Sequence, residues 1–182
     1  MYEIRLHGLG GEGVVRLSEF IGMAATSSGK WAQSFPFFGT EVRGAAVKAF
    51  TRVDDKPITI RCYIYEPDVL ILTNDILLFD PDISTGITPE TIFIINTKQK
   101  KQDLEKLFGC KIFTIDATEL AYQYIDLPIV NTLMLGSLIG ATEMMTIEIA
   151  EDILRHEFSG KIAEKNILAM KKGYEITKEV TK

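Results

Sequence analysis

The strongest constraint on this chain lies at its N-terminal end. Glu3 to His7 alternate in strand fashion and run into Gly8-Leu9-Gly10-Gly11-Glu12-Gly13, after which Val14, Leu17, Phe20, Ile21 and Ala24 recur at helical spacing. A strand, a glycine turn and a helix in that order point to an α/β arrangement. The helix is expected to stop near Ser27-Ser28-Gly29, since glycine just past the last periodic residue is the usual C-terminal signal. Backbone N–H groups at a helix start, unobstructed by Cβ atoms, can approach a phosphate closely, so Gly8, Gly10, Gly11 and Gly13 are candidate ligand-binding residues. The competing reading is that these glycines only permit a tight turn and close packing. Glu12 leans toward the second, because a carboxylate at the mouth of the loop repels phosphate.

Gly8-x-Gly10-x-x-Gly13 formally matches the dinucleotide fingerprint, but that motif also needs a second parallel strand ending in Asp or Glu about 20 residues on. Here that stretch is Lys30-Trp31-Ala32-Gln33. Nor does Gly13-Val14-Val15 supply the cation and hydroxyl of a P-loop. A free-standing nucleotide-binding enzyme using this loop is therefore the alternative function.

Trp31 to Gly44 fits neither period cleanly and reads as an ordered loop. Ala45 to Val53, the turn residues Asp54 to Pro57, and Ile58 to Tyr65 together predict an antiparallel hairpin. Asp68 to Thr73, Thr91 to Asn96 and Lys111 to Ile115 are short apolar runs with a helix expected at Lys101 to Phe108, the pattern of buried parallel strands with crossovers. From Ala117 onward the period is helical, over Ala117–Tyr124, Asn131–Glu143, Ile147–His156 and Gly160–Thr177. The expectation is one domain over residues 1–182: a three-layer α/β/α fold with a mostly parallel sheet, an antiparallel hairpin at 45–65 and a helical C-terminal region.

Composition excludes several function classes. Twenty Lys+Arg against 25 Asp+Glu give a net charge of −5, which offers no global attraction to nucleic acid or anionic membranes. No apolar run approaches the roughly 20 residues needed to span a bilayer, and the charged, alternating N-terminus lacks a signal-peptide core, so a cytoplasmic location is expected. Cys62 and Cys110 are the two cysteines, too few for a disulfide framework or for four-thiolate ligation of an iron–sulfur cluster. With His7 and His156 alone, a zinc site is poorly supported, and no nucleophile-and-base arrangement stands out. Cys62 reads as a small core residue, and Asp80-Pro81-Asp82 as a loop.

Phe35-Pro36-Phe37-Phe38-Gly39 puts much apolar surface on irregular backbone near Trp31, and something must cover it: the domain's own helices or a partner subunit. Arg43, between Gly39 and Gly44, is a candidate for binding an external carboxylate or phosphate, with pairing to Glu41 as the simpler alternative.

Taken together, the chain resembles the gamma subunit of the 2-oxoacid:ferredoxin oxidoreductases. The family's opening pattern is met by His7-Gly8-Leu9-Gly10-Gly11-Glu12-Gly13-Val14-Val15, with Glu12 where the family usually has Gln. Its middle signature is met by Phe35 to Ala45 and Ala49-Phe50-Thr51-Arg52, and its later landmarks by Pro67-Asp68, Pro128 to Thr132 and Met134-Leu135-Gly136. The resemblance implies a noncatalytic subunit, with pyruvate as the favoured substrate of the whole enzyme, coenzyme A as acyl acceptor and ferredoxin as electron acceptor. It also implies that thiamine diphosphate and the iron–sulfur clusters sit in thiamine-binding and ferredoxin-like partner subunits. On this reading Gly8, Gly10, Gly11, Gly13 and Arg43 contact coenzyme A or a neighbouring subunit, and Phe35 to Phe38 anchor that neighbour. Self-association of a lone chain into a homodimer through the aromatic segment is a third reading.

Overall fold

The computed structural model describes residues 1–37 and 45–181. Six strands, β1 (Tyr2–Leu9), β2 (Trp31–Phe37), β3 (Ala46–Asp54), β4 (Val69–Leu72), β5 (Ile92–Asn96) and β6 (Lys111–Ile115), form one sheet in the order β2-β3-β1-β4-β5-β6. β1, β4, β5 and β6 pair in parallel, whereas β3 runs antiparallel to both β1 and β2. Two reversals cancel, so β2 points the same way as β1, and β3 alone among these strands runs backward.

The helices are α1 (Val14–Ser27), α2 (Pro81–Ser84), α3 (Lys101–Phe108), α4 (Ala117–Ile125), α5 (Asn131–Thr142), α6 (Ile147–Glu157) and α7 (Gly160–Thr181), with a short 3-10 turn at Asp75–Leu77. Side-chain alternation assigns them to the two faces of the sheet. Val69 and Ile71 of β4 enter a core shared with α1, α4, α5, α6 and α7, while Leu70 and Leu72 of the same strand pack with Ile83 of α2 and Leu104 of α3. With both faces covered, the central strands are apolar on both sides, which is why they read as continuous runs.

Inside the helical layer, α5 is buried from Asn131 to Ala141. A helix apolar on all sides needs neighbours all round, and α7 lies against it most closely. A Cβ at Gly136 would overlap the Met170 carbonyl oxygen, and one at Gly173 the Leu133 carbonyl oxygen. The two backbones meet because neither position carries a side chain.

The antiparallel element is placed differently from the sequence expectation. β2 is a strand where a loop was expected, and it, rather than Ile58 to Tyr65, is the hairpin partner of β3. Pro36 fits there because β2 is an edge strand, where a missing N–H can face outward. Since β1 and β2 already occupy both edges of β3, the Ile58 to Tyr65 stretch has no ladder to join and is not a strand. It lies on the face opposite α1, with Ile64 buried and Tyr63 stacked on Phe50 at 5.3 Å between centroids. Cys62, on this segment, is accordingly exposed rather than in the core, while Cys110 is buried.

Two buried guanidinium groups hold this covering segment. Arg52 is fully buried and pairs through Nε with Glu3 Oε1 at 2.7 Å, while its Nη2 donates to the Tyr63 carbonyl at 3.4 Å. Arg5 donates to the carbonyls of Tyr65 (3.1 Å), Ile83 (3.2 Å) and Thr85 (2.6 Å), so it joins β1 to the segment and to the C-terminal end of α2. Burial lowers its pKa to about 10. The next inward-facing residue on this side of β1, His7, is 3% exposed, and its Nε2 has no hydrogen-bond partner. Burial first, and then the charges of Arg5 and Lys48, push its pKa down to about 3.

Gly136→Ala is expected to force α5 and α7 apart and to cost about 1–3 kcal/mol, as overpacking of a close contact does. The check is the denaturant midpoint, and an unchanged midpoint would show that the helices can separate freely. His7 gives a pH dependence. Its folded pKa, about 3, lies below the ordinary value of 6.5, so between these values the unfolded chain binds a proton that the folded chain does not. Stability should therefore fall as pH drops below 6.5, at up to roughly 1.4 kcal/mol per pH unit from this group. Unfolding of His7→Asn between pH 6.5 and pH 4 should show a shallower slope than the parent chain; parallel slopes would remove His7 as the cause.

Candidate functional site

Parallel strands bring polar residues to one end of the sheet, and open α/β sheets bind ligands beyond those ends, where successive crossovers leave on opposite faces. That reversal lies between β1 and β4. After β1 the chain enters α1 on one face, while after β4 it enters α2 on the other. The glycine loop Gly8 to Gly13 stands at this crevice.

The loop is held by Glu12. Its Oε2 accepts from the Leu9 N–H at 2.9 Å and from Thr73 Oγ1 at 2.8 Å, and its Oε1 accepts from Asn74 Nδ2 at 2.5 Å. The acidic side chain that sequence reasoning set against an anion is thus bound by three donors and ties the loop to the end of β4. Gly8 is required by this packing, because a Cβ there would overlap Thr73 Oγ1 and press on Val14. Gly10 donates its N–H to the Ala45 carbonyl at 2.9 Å, fastening the loop to the start of β3. Gly11 and Gly13 both have positive φ, 101° and 82°. Gly13 is the N-cap of α1, and its missing side chain leaves the space into which Asn131, the first residue of α5, is packed. Gly8, Gly10, Gly11 and Gly13 therefore lie together at the crevice. Arg43, Glu41, Gly39, Gly44 and Phe38 lie outside the described residues.

A second polar cluster continues along the same edge. Asn96 Nδ2 donates to the Thr73 carbonyl at 2.7 Å and to Thr118 Oγ1 at 2.8 Å, while its Oδ1 accepts from the Thr118 N–H at 3.2 Å. One amide thus links β4, β5 and the start of α4, beside a cavity of about 240 Å³ lined by Asn74, Asp75, Thr97, Lys98 and Asp116. Sequence reasoning missed Thr73, Asn74, Asn96, Thr118 and Asn131. Their signal was polar residues directly after the apolar runs of β4 and β5 and at the start of predicted helices.

The dinucleotide reading of the loop fails on topology. α1 leads to β2 at the far edge, and the strand beside β1 on that side is β3, which runs antiparallel. No neighbouring parallel strand follows α1 to place a ribose-binding acid. Among the described residues no group of three or more His, Cys, Asp or Glu is placed to hold a metal ion, and no helix is long and apolar enough to cross a membrane.

The aromatic residues are partly covered by the chain itself. Phe35 stacks on Phe50 at 5.2 Å, and Phe37 meets Tyr63 edge-on at 5.3 Å. Trp31, on the same edge strand, remains 55% exposed. The outer edge of β2 is unpaired among the described residues and carries no charged side chain. Beneath it a groove of about 500 Å³ runs between α1 and α6, lined by Gly22, Met23, Ala32, Ser34 and Ile153 among others.

Comparison with known proteins agrees with this architecture. The family model described as pyruvate ferredoxin/flavodoxin oxidoreductase matches residues 3–176. The chain is 44% identical over 180 residues to the pyruvate/ketoisovalerate oxidoreductases common subunit gamma of Pyrococcus furiosus, covering 97% of each chain. It is similar to the crystal structure of pyruvate oxidoreductase subunit PORC from Thermotoga maritima, with a TM-score of 0.86 and 33% identity over 96% of this chain and 95% of that one. The same fold recurs in the 2-oxoglutarate:ferredoxin oxidoreductase of Magnetococcus marinus, at a TM-score of 0.81 and 20% identity, over 98% of this chain and 31% of that longer one. The chain therefore belongs to the pyruvate ferredoxin/flavodoxin oxidoreductase family, as a gamma-type subunit.

Proposed function

We propose that this chain serves, in the cytoplasm, as the gamma component of a complex that oxidatively decarboxylates a 2-oxoacid, pyruvate being the first candidate. Coenzyme A accepts the acyl group and ferredoxin the electrons. The observation that carries the reading is end-to-end similarity to a gamma subunit: 44% identity over 97% of both chains. The Pyrococcus furiosus relative is named as common to pyruvate and ketoisovalerate enzymes, which favours partner chains as the place where the oxoacid is chosen.

In this reading the partners hold thiamine diphosphate and the iron–sulfur clusters. The donor set here suits that division, since Cys62 and Cys110 are the chain's two thiols and a cluster takes four. Thiamine diphosphate, when bound in a partner, supplies the carbanion chemistry of decarboxylation. This chain contributes surface and position. The crevice bordered by Gly8, Gly10, Gly11 and Gly13 faces the coenzyme A path, with Arg43 as a further contact to an anionic group. The uncharged edge of β2, with Trp31, Phe35 and Phe37, docks a neighbouring subunit, because a free edge strand and an apolar groove both gain by being covered.

Affinity purification of the chain from its native host, with mass spectrometry and an assay of dye reduction that requires both oxoacid and coenzyme A, tests the reading. Thiamine-binding and cluster-bearing chains should co-purify with activity, and the preferred oxoacid names the substrate. A lone, inactive chain under conditions that preserve other complexes would overturn it. Replacing Phe37 by Ser should reduce recovery of the partner chains severalfold while the isolated chain still folds; recovery at full stoichiometry would free the β2 edge from that role.

A further inference from the structure

The two edges of the sheet, β2 and β6, are not alike. β6 begins with Lys111, and the ammonium groups of Lys111 and Lys101 lie 5.0 and 5.6 Å from the centroid of the Phe113 ring. Charged side chains at an edge oppose pairing with another chain. β2 reads Trp31-Ala32-Gln33-Ser34-Phe35-Pro36-Phe37, with no charge along it, and its Trp31 is 55% exposed. One edge is guarded and the other is left open.

The ladder decides which groups β2 offers. The Glu3 and His7 carbonyls accept from the Asp68 and Thr73 N–H groups, both at 2.9 Å, so these residues of β1 face β4. The N–H and C=O of one residue point to the same edge of a strand, and the edge alternates from residue to residue. Ile4, Leu6 and Gly8 therefore face β3, through Thr51, Ala49 and Val47, which leaves Phe50 and Lys48 to bond Phe35 and Phe37 of β2. The N–H groups of Ala32 and Ser34 then point outward, as does the ring nitrogen of Pro36, which has no proton to offer. Ser34 sends its side chain toward α1, where Oγ donates to the Ser18 carbonyl at 2.8 Å. By the same alternation Trp31, Phe35 and Phe37 share the opposite face, that of Tyr63.

This edge is complementary to itself. Set antiparallel to a second copy about a two-fold axis at Ser34, each Ser34 donates to and accepts from the partner's Ser34, and each Ala32 N–H donates to the partner's Pro36 carbonyl. Both outward donors of each strand are then used. The proton missing at Pro36 leaves the Ala32 carbonyl open at the end of the ladder, where water reaches it. The same register sets Trp31 directly opposite the partner's Phe37, in a pair without mutual hydrogen bonds, where cross-strand side chains come closest. No charged side chain of the strand is brought against another. Pairing of β2 with β6 of another copy would instead meet Lys111 and would propagate without closing.

We propose that the β2 edge is a two-fold interface between two copies of this chain, paired antiparallel about Ser34. This rests on the reading of the edge as a docking surface and names its occupant, a second gamma-type chain.

The test is the oligomeric state of the full chain, followed by sedimentation over a range of concentration. A reversible dimer is expected. Ala32→Pro removes an outward N–H and no bond to β3, a change that Pro36 already carries on this edge, and should weaken the dimer at least about tenfold. Trp31→Lys serves if that variant does not fold, since it guards the edge from an exposed position. Ser34→Cys on a Cys62→Ser background, mildly oxidised, should cross-link two copies at the axis, and adding Ala32→Pro should suppress the link. A chain that is monomeric throughout, or a dimer that Ala32→Pro and Trp31→Lys both leave intact, overturns the two-fold interface. The same variants in the complex purified from the native host separate this result from the broader reading. A monomeric chain whose Ala32→Pro variant loses the thiamine-binding and cluster-bearing chains gives the edge to another subunit: the second copy is overturned and the docking surface stands. A dimer lost in Ala32→Pro with full recovery of those chains keeps the second copy at this edge and places the other subunits elsewhere on the surface.

Discussion

β1 is hydrogen-bonded on one edge to β3 running against it and on the other to β4 running with it, and this double pairing organises the molecule. Toward β3 the register places Arg5 opposite Phe50 and His7 opposite Lys48, on a face that is polar and must be roofed. Toward β4 it places Leu6 opposite Ile71, in the helical core. The connections that leave the parallel strands β1 and β4 lie on opposite faces, which opens the crevice at the C-terminal end of β1. The glycine loop is therefore a consequence of where β1 sits as much as of its own sequence.

The polar side of β1 and β3 is handled by desolvated cations instead of by a helix. Arg5 gives its protons to main-chain carbonyls near the C-terminal end of α2 and on the covering segment, and Arg52 pairs with Glu3 beneath the same segment. Buried guanidinium groups are costly to leave unpaired, so each fixes the backbone it binds. His7 completes this layer in the neutral state. The result is a roof made from chain without regular secondary structure, rigidly held by its carbonyl groups.

In the helical layer the decisive contact is the close approach of α5 and α7 at Gly136 and Gly173. It is supported by Thr132 Oγ1 donating to Asn166 Oδ1 at 3.2 Å. Because α5 begins at Asn131, the position of this helix also sets what faces Gly13. Packing deep in the helical layer and the geometry of the crevice are thus joined through one helix.

The sequence by itself determined the local elements whose pattern depends on one chain neighbourhood. The strand–glycine–helix opening, the helix at Lys101 to Phe108, the strand at Lys111 to Ile115 and the four C-terminal helices were legible from periodicity and from turn residues. The glycine loop was legible too, as was the charge problem that Glu12 poses. What only the tertiary structure decided was which segments pair and which donors converge. Trp31 to Phe37 and Ile58 to Tyr65 compete for β3, and the winner depends on the edges left free once β1 has bound, which no local pattern encodes. Likewise Thr73 and Asn74 reach Glu12 across 61 and 62 residues to hydrogen-bond it at 2.8 and 2.5 Å, and Asn131 packs against Gly13 from the start of α5, far along the chain. Sequence periodicity reports which face a residue takes; only the packed fold brings distant faces together.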